Sequence, residues 1–267
     1  MAYWSVNPSP LLSFPTLTCQ SRLRTKLKSS SFWGSTTVVQ LAVSTTSAWP
    51  PDLTCLSQFL ENPGIQHWNG FLHVLTYLKG TQDLGLVYSA DQAQGIISYS
   101  DADWGNFQKT RCSVTGYLAT FDGSLVLWKT QKQPTISLST VEAEYKAVCN
   151  LASELLRLQK WCQECSLCQF KEPIPIYEDN QSCINVINGN AKLNNKCMKH
   201  VNIQLHFFKE VMDSSKVKLV YVPTKLMLAD FLTKSVDRQA LSNSLSSLGV
   251  LQLGVKGSVE NCDQGHT

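Results

Sequence analysis

The chain is poor in charge and lacks several features that would place it in a class at once. Only 16% of its 267 residues are Asp, Glu, Lys or Arg, and the formal net charge is +3. The pI near 8.3 is too mildly basic to imply nucleic acid by itself. No run of about 18 uninterrupted apolar residues occurs, which argues against a membrane-spanning helix. The N-terminus has no basic stretch ahead of an apolar one and is broken by Pro8, Pro10 and Pro15, so it does not read as a secretory signal. Ten cysteines are present but scattered, which fits reduced thiols better than a disulfide frame. The expectation is an intracellular protein, cytoplasmic or nuclear, not secreted. Acid is missing altogether from residues 1–50, which hold Arg22, Arg24, Lys26 and Lys28 amid Ser, Thr and Pro. Apart from a strand-like Thr37–Val43, no period of 2 or 3.6 is sustained before residue 49. Residues 1–48 are left unassigned, either as a disordered arm or as text out of the reading frame.

What is there begins at Pro51. Asp52–Leu60 has a helical pattern that Asn62-Pro63-Gly64 breaks. Residues 66–79 give a second helix, with Trp68, Phe71, Leu72, Leu75 and Leu78 on one face and Gly80 just past its end. Asp83–Ser89 resembles a strand. Residues 96–128 read as a three-stranded meander whose first strand, Ile96-Ile97-Ser98-Tyr99-Ser100-Asp101, ends in a carboxylate. Asp122-Gly123 supplies a hairpin turn between the second and third strands. After a polar linker, Lys129–Pro134, Ser139-Thr140-Val141-Glu142 is a capping box that opens a helix to about Cys165. Ala143, Ala147, Val148, Leu151, Leu155 and Leu158 mark the buried side of that helix. Ile174–Asn180 is a short strand ending in acid, and Gln181–Asn188 and Lys199–Asp213 read as helices. Lys216–Val222 alternates as a strand, and Leu226–Lys234 starts a last helix with Asp230 near its beginning. Beyond Ser235 the tail offers one helix at Arg238–Leu248 and nothing further. A meander followed by strand–helix crossovers requires antiparallel and then parallel pairing, hence an α/β fold with a mixed five-stranded sheet.

In that sheet Asp101, Glu144, Asp179 and Asp230 converge on one edge. Clustered carboxylates repel unless cations neutralise them, and hard oxygen donors suit two Mg²⁺ or Mn²⁺ ions. Two such ions can activate a water against a phosphodiester. Taken singly, each acid has an ordinary use as a turn residue, a solvated helix face or a cap. Asp103 shares a strand face with Asp101 and is the alternative ligand there. Glu142 is better used in the capping box than in a site. The stretch 191–225 carries seven Lys against Glu210 and Asp213, either a face for a phosphate backbone or simply a solvated surface. Cys162-x-x-Cys165-x-x-Cys168 has ligand spacing, with Cys197 or His200 as further donors. Two of its cysteines fall on the predicted helix and no second C-x-x-C pair exists, so structural zinc is not the reading taken.

The words YSDADW (99–104), RCSVTGY (111–117), WKTQKQPTISLSTVEAEYKAV (128–148), YEDNQSCI (177–184), KHVNIQLHFFKE (199–210) and YVPTKLMLADFLTK (221–234) resemble, in order and spacing, the ribonuclease H domain of copia-type LTR retrotransposon Pol polyproteins. Residues 49–95 resemble the end of the reverse transcriptase region of the same polyproteins. The resemblance implies a ribonuclease H-like domain over 96–236 and a tail over 237–267. It also implies metal-dependent endonucleolytic cleavage of the RNA strand of an RNA–DNA hybrid. Carried over word by word, the ligands and catalytic residues are Asp101, Glu144, Asp179 and Asp230. Lys199, His200, His206 and Lys225 are candidates for contact with the hybrid. Ribonucleases H outside this family often place a His in the loop before the last acid; here Pro223–Met227 has none. The aromatic-x-Asp-Asp turn of a polymerase is absent, so no DNA synthesis is expected. Partners are the hybrid and other parts of a polyprotein, with no membrane. The other function class is a non-catalytic relic or nucleic-acid-binding module that keeps the fold.

Overall fold

The computed structural model describes residues 62, 64–88, 95–106, 110–166, 170, 172–189 and 199–253, with the side chains of His73 and of residues 199–202 excepted. The elements expected at Thr37–Val43 and Asp52–Leu60 lie outside the described residues. In chain order the elements are α1 (Ile65–Gly80), β1 (Leu84–Leu86), β2 (Ile96–Asp103), β3 (Val114–Phe121), β4 (Ser124–Lys132) and α2 (Thr140–Glu164). They continue with β5 (Ile174–Glu178), α3 (Gln181–Ile187), α4 (Lys199–Asp213), β6 (Val217–Tyr221), α5 (Arg238–Ser247) and β7 (Val250–Gln252). Among the described residues no helix is long and apolar enough to cross a membrane.

The main sheet has the order β4-β3-β2-β5-β6. β2, β3 and β4 pair antiparallel, whereas β5 runs parallel to both β2 and β6. The meander arises locally. Asp122 and Gly123 both take positive φ, 48° and 76°, as a two-residue hairpin turn requires. Asp122 also accepts from the Gly95 amide at 2.9 Å, closing the turn against the start of β2. The polar residues Lys129–Lys132 belong to β4 rather than to a linker, because Val114–Tyr117 across the ladder fixes them in register. At the head of α2 the Ser139 hydroxyl accepts from the Glu142 amide at 3.2 Å. Glu142 answers by accepting from the Leu138 amide at 2.8 Å and pairing with Lys146 at 2.8 Å. The capping box thus closes one residue earlier than the simple pattern.

Among the described residues the two larger apolar clusters lie on opposite faces of the sheet, with a small third one of Val222, Met227 and Ala229. On one face, Leu151, Leu155 and Val148 of α2 and Phe208 of α4 pack on Ile96, Tyr117, Ala119, Ile174 and Ile176. On the other, Leu118 and Leu125 meet Phe231, Leu232, Leu245, Leu248 and Val250 from the C-terminal part of the chain. There β7 pairs antiparallel with β1, so the segment before the main sheet and the segment after it are tied together. The sequence reading had no strand at Val250–Gln252. The face expected to be buried on α1 is largely open: Trp68 is 55% exposed, and Phe71, Leu72 and Leu75 are exposed too, while Val74 is the buried residue. Gly80 is the last helical residue and Thr81 forms the cap.

The expected last helix at Leu226–Lys234 is instead two single 3-10 turns, Thr224–Leu226 and Asp230–Leu232. The second turn lies directly on β3. A Cβ on Gly116 would come within 2.5 Å of Thr233 Cγ2 and 2.8 Å of Leu232 Cβ, so only glycine lets the turn approach. Thr130 also donates to the Leu232 carbonyl at 2.9 Å, holding the turn down. Gly116→Ala is expected to lower stability by about 1–3 kcal/mol through overpacking. A thermal melt checks this, and an unchanged melting temperature would mean that the turn is not held there.

Candidate metal centre

Strand parity decides which face each acid takes. Along β2, Asp101 alternates with Ser100 and shares its face with Tyr99, opposite the face of Ile96 that packs under α2. Its register partner is Gly116, so the turn that glycine admits arrives beside Asp101. The Thr233 hydroxyl donates to Asp101 Oδ2. Lys234 Nζ lies 3.7 Å from Asp101 Oδ1 and 2.9 Å from Asp230 Oδ1. Asp179 follows the last residue of β5 and precedes Asn180, whose side chain caps α3 by accepting from the Cys183 amide at 3.0 Å.

Among the described residues two acidic groups result, and they share a member. Asp101, Asp179 and Asp230 each offer an oxygen within 4.8 Å of the others, and so do Glu144, Glu178 and Asp179. The four sequence-predicted acids therefore lie together, with Asp179 common to both groups. A fifth acid, Glu178, joins them. Asp103 belongs to neither group. Glu142 stays at the cap of α2. Of the residues expected to touch nucleic acid, His206 and Lys225 are exposed, and the side chains of Lys199 and His200 lie outside the described residues. Of the ligand-spaced cysteines, Cys162 is buried, Cys165 is exposed, and Cys168 lies outside the described residues.

The site is acid-rich and largely buried. Burial pushes the Asp101 carboxyl up to about 6, with Lys234 and Thr233 pulling against it and Asp230 and Asp179 reinforcing it. Glu144 is held well above the usual carboxylate range, first by burial and then by Glu178, Asp101 and Asp179. Glu178 is raised likewise by burial, against a hydrogen bond from the Asn180 amide at 3.2 Å. Asp230 is raised by burial despite its bond to Lys234. Burial opposes the Lys234 ammonium, but Asp101 and Asp230 outweigh it and its pKa rises. The second oxygens of Glu144 and Glu178 are buried and have no hydrogen-bond partner. Orphaned carboxylate oxygens in a buried site want a proton or a cation. An all-oxygen donor set of this kind fits hard divalent ions rather than soft ones.

A mixed sheet in this order, with a long helix crossing one face and acids gathered beside it, is an α/β domain. The chain is 33% identical over 207 residues to the retrovirus-related Pol polyprotein from transposon RE2 of Arabidopsis thaliana, covering 76% of this chain and 14% of that protein. It is 36% identical over 183 residues to the corresponding polyprotein from transposon TNT 1-94 of Nicotiana tabacum, covering 68% and 13%. The chain belongs to the retrovirus-related Pol polyproteins of transposons, and it spans about one seventh of the length of these relatives. An RNase H1 isolated from compost superimposes with a TM-score of 0.41 at 15% identity, covering 57% of this chain and 98% of that one. No family model matches the chain.

Proposed function

We propose that this chain is a copia-type retrotransposon ribonuclease H that hydrolyses the RNA strand of an RNA–DNA hybrid with Mg²⁺ or Mn²⁺. The observation that carries the reading is the meeting of Asp101, Glu144, Asp179 and Asp230, which come from four separate stretches of the chain, in two groups joined at Asp179. When bound, divalent ions supply the Lewis acidity that water needs to attack a phosphodiester and that the leaving oxygen needs to depart. The chain's own residues do the rest. Asp101 and Asp230 would hold one ion, and Glu144 would help hold the other, with Asp179 between them. Thr233 orients Asp101 by its hydrogen bond. Lys234 offsets part of the burial that raises the Asp101 and Asp230 carboxyls, an ammonium partner that a metal ion would replace. Lys225 and His206, both exposed, are placed in this reading against the hybrid's backbone, which is recognised by shape. The domain limits proposed remain 96–236 for the nuclease, with 49–95 as the remnant of the reverse transcriptase region.

The test is cleavage of a labelled RNA–DNA hybrid by the full chain with Mg²⁺ or Mn²⁺, alongside an Asp179→Asn control. Metal-dependent cleavage of the RNA strand, lost in the control, is the expected result. Folded protein that binds the hybrid without cutting it would replace the enzyme by a nucleic-acid-binding relic.

A further inference from the structure

Glu178 occupies a position where strand parity calls for an apolar residue. In β5, Ile174, Ile176 and Glu178 point to the same buried face, and the two isoleucines belong to the core under α2. Continuing that alternation, a third aliphatic side chain would suit the site. Instead the chain places a carboxylate there, 0% exposed, with an oxygen within 4.8 Å of oxygens of both Glu144 and Asp179. Among the described residues a single backbone hydrogen bond offsets the desolvation of this group. One Glu178 oxygen accepts from the Asn180 amide at 3.2 Å. The other is buried and unpartnered, as is the facing Glu144 Oε2.

The two acidic groups also differ in their counter-charge. Lys234 lies against Asp101 and Asp230. Among the described residues the charged groups that act on Glu144 are Glu178, Asp101 and Asp179, and those that act on Glu178 are Asp179 and Asp101, all of them acids; Lys234 reaches this group only through the shared Asp179. A buried pair of like groups without a cationic side chain is costly unless something positive stands between them. Two hard oxygen donors already free of protein partners, plus the shared Asp179, are what a divalent cation needs from a protein.

From this geometry we infer that Glu178 is a fifth metal-binding carboxylate, which completes a second cation locus with Glu144 and Asp179, separate from the Asp101–Asp230 locus where Lys234 sits. The inference rests on the metal-dependent reading above and deepens it. Glu178 would help hold the second ion, and Asp179 belongs to both groups.

The experiment counts bound Mn²⁺ by the loss of the free-ion EPR signal, using the full chain, Glu178→Gln and Glu178→Leu. Glutamine keeps the shape and removes the charge. Leucine restores the apolar alternation of β5 and covers the case in which the glutamine variant folds poorly. Wild type is expected to bind two ions. Both variants should keep one and bind the other at least about tenfold more weakly, since even outer-shell partners of a metal cost that much. Variants that bind Mn²⁺ as wild type does, or a wild type that binds a single ion, would overturn the role of Glu178. Hybrid cleavage by the same wild-type preparation reports separately on the underlying reading. If wild type cleaves but the variants keep full Mn²⁺ binding, the fifth ligand alone is wrong. If wild type neither binds nor cleaves, both readings fall.

Discussion

Asp179→Asn is expected to reduce hybrid cleavage by about a hundredfold or more, and by more than either Asp230→Asn or Glu144→Gln. The reason is its position. Asp230 contributes to one acidic group and Glu144 to the other, whereas Asp179 belongs to both. Losing an outer-shell partner of a metal typically costs about 10–100-fold, so removing a carboxylate shared by two loci should reach at least the upper end. The fold should survive. Asp179 lies just past the strand, and its neighbour Asn180, not Asp179 itself, caps α3. Its negative charge raises the pKa of Asp101, Glu144, Glu178 and Asp230. Neutralising it therefore relieves repulsion in the metal-free protein. The metal-free variant should melt no lower than wild type while being inactive, a separation typical of sites that trade stability for function. Rate measurements beside thermal melts check both halves. A variant that loses activity and stability together would place Asp179 in the framework rather than in the site.

The parts of the fold that were legible in the sequence are those written locally. The meander followed from period-2 alternation and Asp122-Gly123, whose positive φ values are what the turn demands. The start of α2 followed from Ser139 and Glu142, and the order of strand and helix crossovers was enough for the mixed sheet. What could not be read is set by distant contacts. Val250–Gln252 is a strand only because Leu84–Leu86, far earlier in the chain, pairs with it. Leu226–Lys234 has helical apolar spacing, yet it forms tight turns, because a surface opened by Gly116 receives Leu232 and Thr233. On α1 the 3.6 period marks an apolar face truly enough, but periodicity does not say what covers it, and much of that face is open in this chain.

The site divides in the same way. Asp101, Glu144, Asp179 and Asp230 were found as acids at strand and helix ends. Glu178 was missed although its signal was present: in Ile174-Pro175-Ile176-Tyr177-Glu178 the glutamate continues the buried alternation. An acid in phase with core isoleucines is a conflict between pattern and chemistry, and such conflicts gather at functional sites. Choosing between adjacent acids by parity would have separated Glu178 from Asp179 and assigned each a face. The partnership of Lys234 and Thr233 with Asp101 was not readable, since it depends on the 3-10 turn that sequence spacing had rendered as helix.

The metal-free protein is expected to lose stability as the pH rises from about 4 through about 6 and beyond, and divalent ions should restore it. An acid whose pKa is higher in the folded than in the unfolded chain holds its proton more tightly when folded. Its contribution is fully present below the unfolded pKa and is lost as the pH climbs through the folded one. Asp101 is such a group, moved from 3.8 to about 6, chiefly by burial. Since it is 2% exposed, solvent screens little of this, and the move corresponds to a loss on the order of 3 kcal/mol. Glu144 and Glu178, raised well above the usual range, extend the decline to higher pH. For a domain of this size the Asp101 part alone lowers the melting temperature by roughly 10 °C. Cations reverse the sign of the problem, because the same carboxylates that repel one another become ligands. At a concentration of about 100 times the dissociation constant, a bound ion contributes about 2.7 kcal/mol. Protons compete with it at low pH, so the increment from Mg²⁺ or Mn²⁺ should be large near pH 8 and small near pH 5. Melting curves with chelator and with added ion at both pH values measure this directly. A metal-free melting temperature that stays level across the range, or an equal metal increment at both ends, would show that Asp101, Glu144 and Glu178 are not neutralised by protons in one regime and by cations in the other.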